Sequence, residues 1–434
     1  MRIKTATVIA TGLAAVALLG GVARESRSSD ANVTATPAEA GALGAGFGLA
    51  DTRAFVRRLE AEARERPNQP RTLALLGLAY SQRARETGDA SFYSRAEKAL
   101  KRSLRLEPNR FDALLGLGSV ALSRHRFADA LEWGRKAERA AERSPAPLGV
   151  IGDGLLELGR YPEAFAAFDR MVARRPSVSS YARVAYAREL IGDTAGAIEA
   201  MRLAVGAAGS GANEPAAFAR TQLGNLLLPS RPALAASLYR EALRLRPDYA
   251  AALIGLGHTE EARGRLQSAL AFYRRSLDAA PSPDAAVSLG GVLKVLGRDT
   301  AAERAYGRAH QLEADFAAHG GFNVLETAML DLDLDRNLRD ALRRARIGHA
   351  ARPSVEGEHV LAWALYKNGR CAEARRHSIR HLRLGTPDTD GLYHRVLIER
   401  CLGNKAAAER FAQRLRTIET GYFASPPSAF RLGG

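Results

Sequence analysis

Cysteine and aromatic residues are scarce in this chain of 434 residues. Two cysteines, Cys371 and Cys401, cannot found a disulfide-built scaffold. They read as buried small hydrophobes, with a single bridge permitted if the protein is exported. Aromatics make up 6%, too few for the sandwiches that aromatic and β-branched side chains favour. Lysine occurs seven times, so the formal charge of +16 rests almost wholly on arginine. No Lys/Arg block and no nucleic-acid motif accompanies that charge. The arginines are spread along the chain beside acidic residues, which describes a mildly basic surface rather than a nucleic-acid footprint. Catalytic signatures are missing as well. The glycines of "GAAGSGAN" have no following lysine and no preceding strand, so they are not a phosphate loop. "GLGSV" around Ser119 is not a nucleophile elbow. No enzymatic activity, cofactor or metal is expected.

What is present begins with a targeting segment. "MRIKTATVIATGLAAVALLGGVARES" carries two cations and then nineteen uncharged residues, Thr5 to Ala23. A positive start followed by an apolar stretch is the pattern of a secretory signal, and Gly21 and Ala23 are small enough for cleavage. As a helix, the same stretch would measure about 28 Å, enough to cross a bilayer as an anchor. Residues 1–23 are thus a cleaved signal or a membrane anchor, and either places the remainder outside the cytoplasm. Residues 24–50 are small, polar and glycine-rich, a flexible spacer. An amphipathic capping helix over 51–69 follows, with Asp51 as its cap and Pro67 and Pro70 at its end.

From residue 70 to 422 the chain repeats itself. An alanine recurs at Ala96, Ala130, Ala164, Ala197, Ala235, Ala269, Ala302, Ala341, Ala374 and Ala408, at intervals of 33 to 39 residues. Each opens the second of two helical patterns joined by a short turn around Gly or Arg. In one unit Gly152, Leu156, Gly159, Tyr161, Ala164, Phe168, Met171 and Pro176 stand in sequence. In another, Leu253, Leu256, Gly257, Ala269, Tyr273, Ser276 and Pro281 do. This resembles the tetratricopeptide repeat, a 34-residue helix–turn–helix. The expected fold is an all-α, right-handed solenoid of about ten units, ending in a tail over 423–434.

The resemblance implies a concave face lined by the first helix of each unit, holding a peptide or helix of a partner protein. In that register the partner-binding positions are Tyr186, Gln222, Asn225, His258, Glu261 and Lys294. In the last units they are His359, Trp363, Tyr366, Tyr393 and His394, the aromatic ones resembling a binding hot spot. Tyr393 and His394 are expected to be exposed. Trp363 fits either exposure or packing between helices. The carboxylate clamp of chaperone-binding repeats is not supported, because Thr221, Gly255 and Val287 occupy its positions. The chain therefore reads as an envelope protein-interaction scaffold with a protein or peptide partner and no nucleic acid, its N-terminal segment engaging the membrane. A second reading is an anionic-polymer or lipid binder using the arginine surface.

Two motifs suggest metal chemistry. His377 and His381 are four apart on a helix, but arginines flank them and a third ligand is missing, so a solvated basic face is expected. Asp331, Asp333 and Asp335 alternate like the start of a calcium loop. The glycine and glutamate such a loop needs are replaced by Arg336 and Leu342. The repeat register instead places Asp333 and Asp335 at a turn, where they are expected to cap the following helix.

Overall fold

Glycines and alanines at fixed places in the repeat decide how closely the helices approach. The computed structural model describes residues 51–209 and 214–418, and among them the regular structure is all helix, with no strand. Helix α1 (Thr52–Glu65) opens the array, with Asp51 accepting a 2.8 Å hydrogen bond from the Ala54 N–H as its cap. Ten helix pairs follow. They are α2–α3 (Pro70–Thr87, Ser91–Leu106), α4–α5 (Phe111–Ser123, Phe127–Ala140), α6–α7 (Ala146–Glu157, Tyr161–Arg174), α8–α9 (Val178–Leu190, Thr194–Ala208) and α10–α11 (Glu214–Leu227, Pro232–Leu245). The second five are α12–α13 (Ala250–Ala262, Leu266–Ala279), α14–α15 (Pro283–Val295, Asp299–Ala318), α16–α17 (Val324–Asp333, Leu338–Ala351), α18–α19 (Val355–Lys367, Cys371–His381) and α20–α21 (Thr389–Cys401, Lys405–Ile418).

Nine of the ten register alanines are fully buried, and Ala408 is 4% exposed. A methyl is all that fits where the second helix meets the first helices of its own and the next unit. Large side chains fill what remains. Tyr239, Tyr273, Tyr306 and Phe168 are the bulkiest fully buried residues. Tyr273 lies against Gly257, where an added Cβ would come within 2.2 Å of its ring; Phe168 stands in the same relation to Gly152.

In seven of the ten units the turn holds a left-handed residue five places before the register alanine. Gly159, Gly192, Gly264, Gly297, Gly369 and Gly403 supply it, and His125 takes it instead at φ 58°. Arginine just before the second helix pairs with an acid three residues on, as in Arg160–Glu163 and Arg370–Glu373.

The array is wound tightly enough to touch itself. The turns of the early units meet the loops that precede later units, about 195 residues on. Val355 N–H donates to the Tyr161 hydroxyl at 2.6 Å, Thr386 donates to the Leu190 carbonyl at 2.6 Å, and Phe322 N–H donates to the Arg124 carbonyl at 2.9 Å. Buried Arg352 bridges Glu157 at 2.5 Å and Glu326 at 3.0 Å. A turn of the superhelix therefore closes after slightly fewer than six units, along a hydrogen-bonded seam.

Cys371 and Cys401 form a disulfide that joins the start of α19 to the end of α20. This corrects the expectation of two separate thiols: the α18–α19 and α20–α21 units stack so that the two Cα atoms lie 6.2 Å apart.

Candidate functional site

The residues expected on the concave face fall into three groups. On α8, α10 and α12, which pack side by side, Tyr186, Asn225, His258 and Glu261 are half-buried. The polar atoms of Asn225, His258 and Glu261 are held in place by the second helices. Tyr239 donates its hydroxyl to Asn225 at 2.9 Å, and the Tyr273 hydroxyl lies 2.9 Å from both His258 Nδ1 and Glu261. Burial holds His258 down at about 4, so its ring is neutral. Burial also pushes the half-buried Glu189 carboxyl on α8 up to about 7. Gln222 is buried beneath this row and Lys294 pairs with Asp299 at 2.7 Å.

In the last units the aromatic positions form a stack. Trp363 lies between Tyr366 (centroids 5.1 Å) and His394 (3.7 Å), with its indole N–H donating to Asp333 at 3.0 Å. Trp363, His359 and His394 are buried, so the expected exposure of His394 is corrected. Its ring is taken up by the Trp363 stack and by a 2.9 Å contact with His359. Tyr366 and Tyr393 remain half-exposed. A covered side chain cannot meet a partner in this conformation, so of this group Tyr366 and Tyr393 alone present surface.

The clamp positions agree with their dismissal. Thr221 is buried with its hydroxyl on the Ala217 carbonyl, and Gly255 lies against the Tyr239 ring.

The three aspartates diverge. Asp331 is buried and pairs with Arg344, Asp333 accepts from Trp363, and Asp335 pairs with Lys367. None caps α17: its cap residue is Asn337, left-handed at φ 47° with no side-chain hydrogen bond. The expected capping role is thus corrected. An extra residue in this turn carries Asp335 into the left-handed position, φ 55°, and turns the carboxylates toward neighbouring helices.

The two histidines of α19 separate as well. His377 Nδ1 lies 2.5 Å from Glu358 Oε2, and His349 Nε2 lies 3.2 Å from Glu358 Oε1. Burial opposes ionisation of Glu358, but the His349 and His377 imidazoles beside it hold its carboxyl down at about 2. His381 is enclosed one turn further on, between the Val355 carbonyl and Asp388, both at 2.8 Å. Its ring stacks on His359 at 4.4 Å. Third ligands, absent from the local sequence, arrive from α17, α18 and the loop before α20. The repeat period does not point to them: Glu358 stands 19 residues before His377 and meets it because α18 packs against α19.

Comparison with known proteins gives one family. The model described as "Tetratricopeptide repeat" matches residues 81–145, 150–213 and 230–283. No curated protein matches the chain by sequence. Among solved structures, the APC/C hetero-tetramer Cut9-Hcn1 is similar at 12% identity over 85% of this chain and 91% of that one, with a TM-score of 0.39. The human IFIT1 dimer with PPP-AAAA is similar at 17% identity over 77% and 78%, TM-score 0.47. MamA is similar at 22% identity over 39% of this chain and 97% of that one, TM-score 0.31. The matched segments are similar to the tetratricopeptide repeat, and the buried alanine register continues the same helix-pair plan through the rest of the described array.

Proposed function

We propose that this protein is a non-enzymatic interaction scaffold of the cell envelope, holding an extended or helical segment of a partner protein on the inner face of its superhelix. The carrying observation is the row Tyr186, Asn225, His258 and Glu261, on three adjacent first helices, with Asn225, His258 and Glu261 anchored from behind by tyrosine hydroxyls. Side chains held this way are pre-organised, so less ordering cost falls on binding. The half-exposed Tyr366 and Tyr393 extend the surface into the last units. Export is supported by the N-terminal pattern and by the disulfide, a bond that persists in oxidising compartments. Among the described residues no helix is long and apolar enough to cross a membrane; the candidate signal or anchor, 1–23, lies outside them, as do the spacer and the tail.

The test is photo-crosslinking in intact cells. A photoreactive residue at Tyr186, Asn225 or Tyr393 is expected to trap one common partner. The same probe at Leu203, half-exposed on α9, should not. Equal trapping at Leu203, or none at the inner positions, contradicts the reading. Binding of anionic polymer or lipid by the arginine surface, the second reading, rests on the +16 charge. It would show as retention on anionic vesicles that disappears as salt rises past roughly 0.15 M, where the Debye length falls to about 8 Å.

A further inference from the structure

We propose that His349, Glu358 and His377 form a divalent metal site of the zinc type, bridging α17, α18 and α19. Their ligand atoms lie within 4.8 Å of one another. The donor set, two imidazoles and a carboxylate, is one that binds zinc with a fourth position left for water. Three features favour an ion over a plain histidine–carboxylate pair. First, His349 Nε2 is buried without a hydrogen-bond partner although Glu358 Oε1 is 3.2 Å away. An enclosed nitrogen in that state requires something to satisfy it. Second, the two rings stand at 85° to each other, centroids 5.4 Å apart, so their in-plane lone pairs can converge. Third, the three residues come from three consecutive helices, so one ion would brace the stack where α19 is also joined to α20 by the disulfide.

Ligands around tetrahedral zinc sit about 3.3 Å apart, as follows from bond lengths of about 2.0–2.1 Å. His349 and His377 face different oxygens of Glu358, at 3.2 and 2.5 Å, so the carboxylate must turn and the His377 spacing open for one oxygen to join both nitrogens around an ion. The opposing charge is Arg380, 4.0 Å from Glu358 and half-exposed, with room to turn toward water. The neighbouring set, His359, His381 and Asp388, also gathers within 4.8 Å but suits an ion less well. There the two rings are nearly parallel, at 15°, so their lone pairs run side by side. Both nitrogens of His381 are engaged by oxygens.

The full-length chain, stripped with EDTA, loaded with Zn2+ and desalted, is expected to retain about one equivalent, the stoichiometry of a three-ligand site. His349→Asn and His377→Asn should each abolish retention, while His381→Asn keeps it, all three with the parental circular dichroism. Co2+ in place of Zn2+ should give the intense visible bands of a tetrahedral ion on the unsubstituted chain, a readout that needs no variant. Absence of retained zinc, or retention indifferent to His349 and His377, overturns the site. Retention lost on His381→Asn alone moves the ion to the other set and overturns it equally.

Discussion

At Gly257 a single hydrogen separates a good fit from a clash. The Tyr273 ring occupies the space a Cβ would need, and its hydroxyl is fixed by His258 and Glu261, so the ring cannot swing away cheaply. Gly257→Ala is expected to destabilise the protein by about 1–3 kcal/mol, the usual cost of overpacking. Gly307, within α15, has nothing within 4 Å of its would-be Cβ. Gly307→Ala should stabilise by about 0.5–1 kcal/mol through helix propensity alone. Urea unfolding of both variants checks the pair, and similar signs would show that the packing argument is wrong. Contacts of this kind were legible in the sequence, because Gly257 and Tyr273 belong to one unit and recur as Gly152 and Phe168. The burial of Trp363 was not. Its fate depends on Asp333 and His394, which sit one unit behind and one ahead, on side chains that the repeat pattern leaves unspecified.

Among the helices, α19 and α20 carry the one covalent bond between units seen in the described residues. The disulfide encloses a segment of thirty residues, and such a closure stabilises by about 2–4 kcal/mol, mainly by restricting the unfolded chain. Because contacts in a solenoid are chiefly with neighbours, the loss on reduction should stay local. Limited proteolysis with and without reductant is expected to release α20–α21 first while the units up to α15 stay intact. Uniform loss across the array would contradict this. The boundaries of these helices followed from the alanine register, but the pairing of the cysteines did not. Two cysteines thirty residues apart meet only because adjacent units stack nearly in register, with four residues missing from a full period.

Over the whole molecule the seam is the feature that sequence periodicity could not show. It joins residues some 195 apart, and nothing in either partner marks the other. Its electrostatic centre is His125, 3.3 Å from Glu326, with Arg352, Glu157 and the buried Glu313 around them. Burial favours the neutral His125 ring, yet the Glu326 charge outweighs it and raises the imidazole above its ordinary range. Burial likewise resists ionisation of Glu326, while His125 and Arg352 hold it down at about 2. The histidine's contribution is complete below about 6.5, its unfolded value, and is lost as pH rises through the raised folded one. The glutamate's contribution is complete above about 4.3 and is lost as pH falls toward 2. The seam should therefore be tightest between about pH 4.5 and 6.5. Hydrogen exchange around 120–126 and 320–327, corrected for intrinsic rates, is expected to accelerate between pH 6.5 and 9. His125→Gln should remove that dependence; an unchanged profile would refute the assignment.

The seam also restricts how such a chain can lengthen. At Gly159 the backbone comes so near the Pro353 carbonyl that a Cβ would sit 2.5 Å from the oxygen, and Gly192 meets the Gly385 carbonyl at 2.8 Å in the same way. These are matched pairs, each spanning the same stretch of chain. A unit inserted or deleted between them would offset every pair at once, so that each of these turns would meet a different loop. Copy number is thus constrained wherever one turn of the array rests on another, as with a coil spring whose turns are welded together.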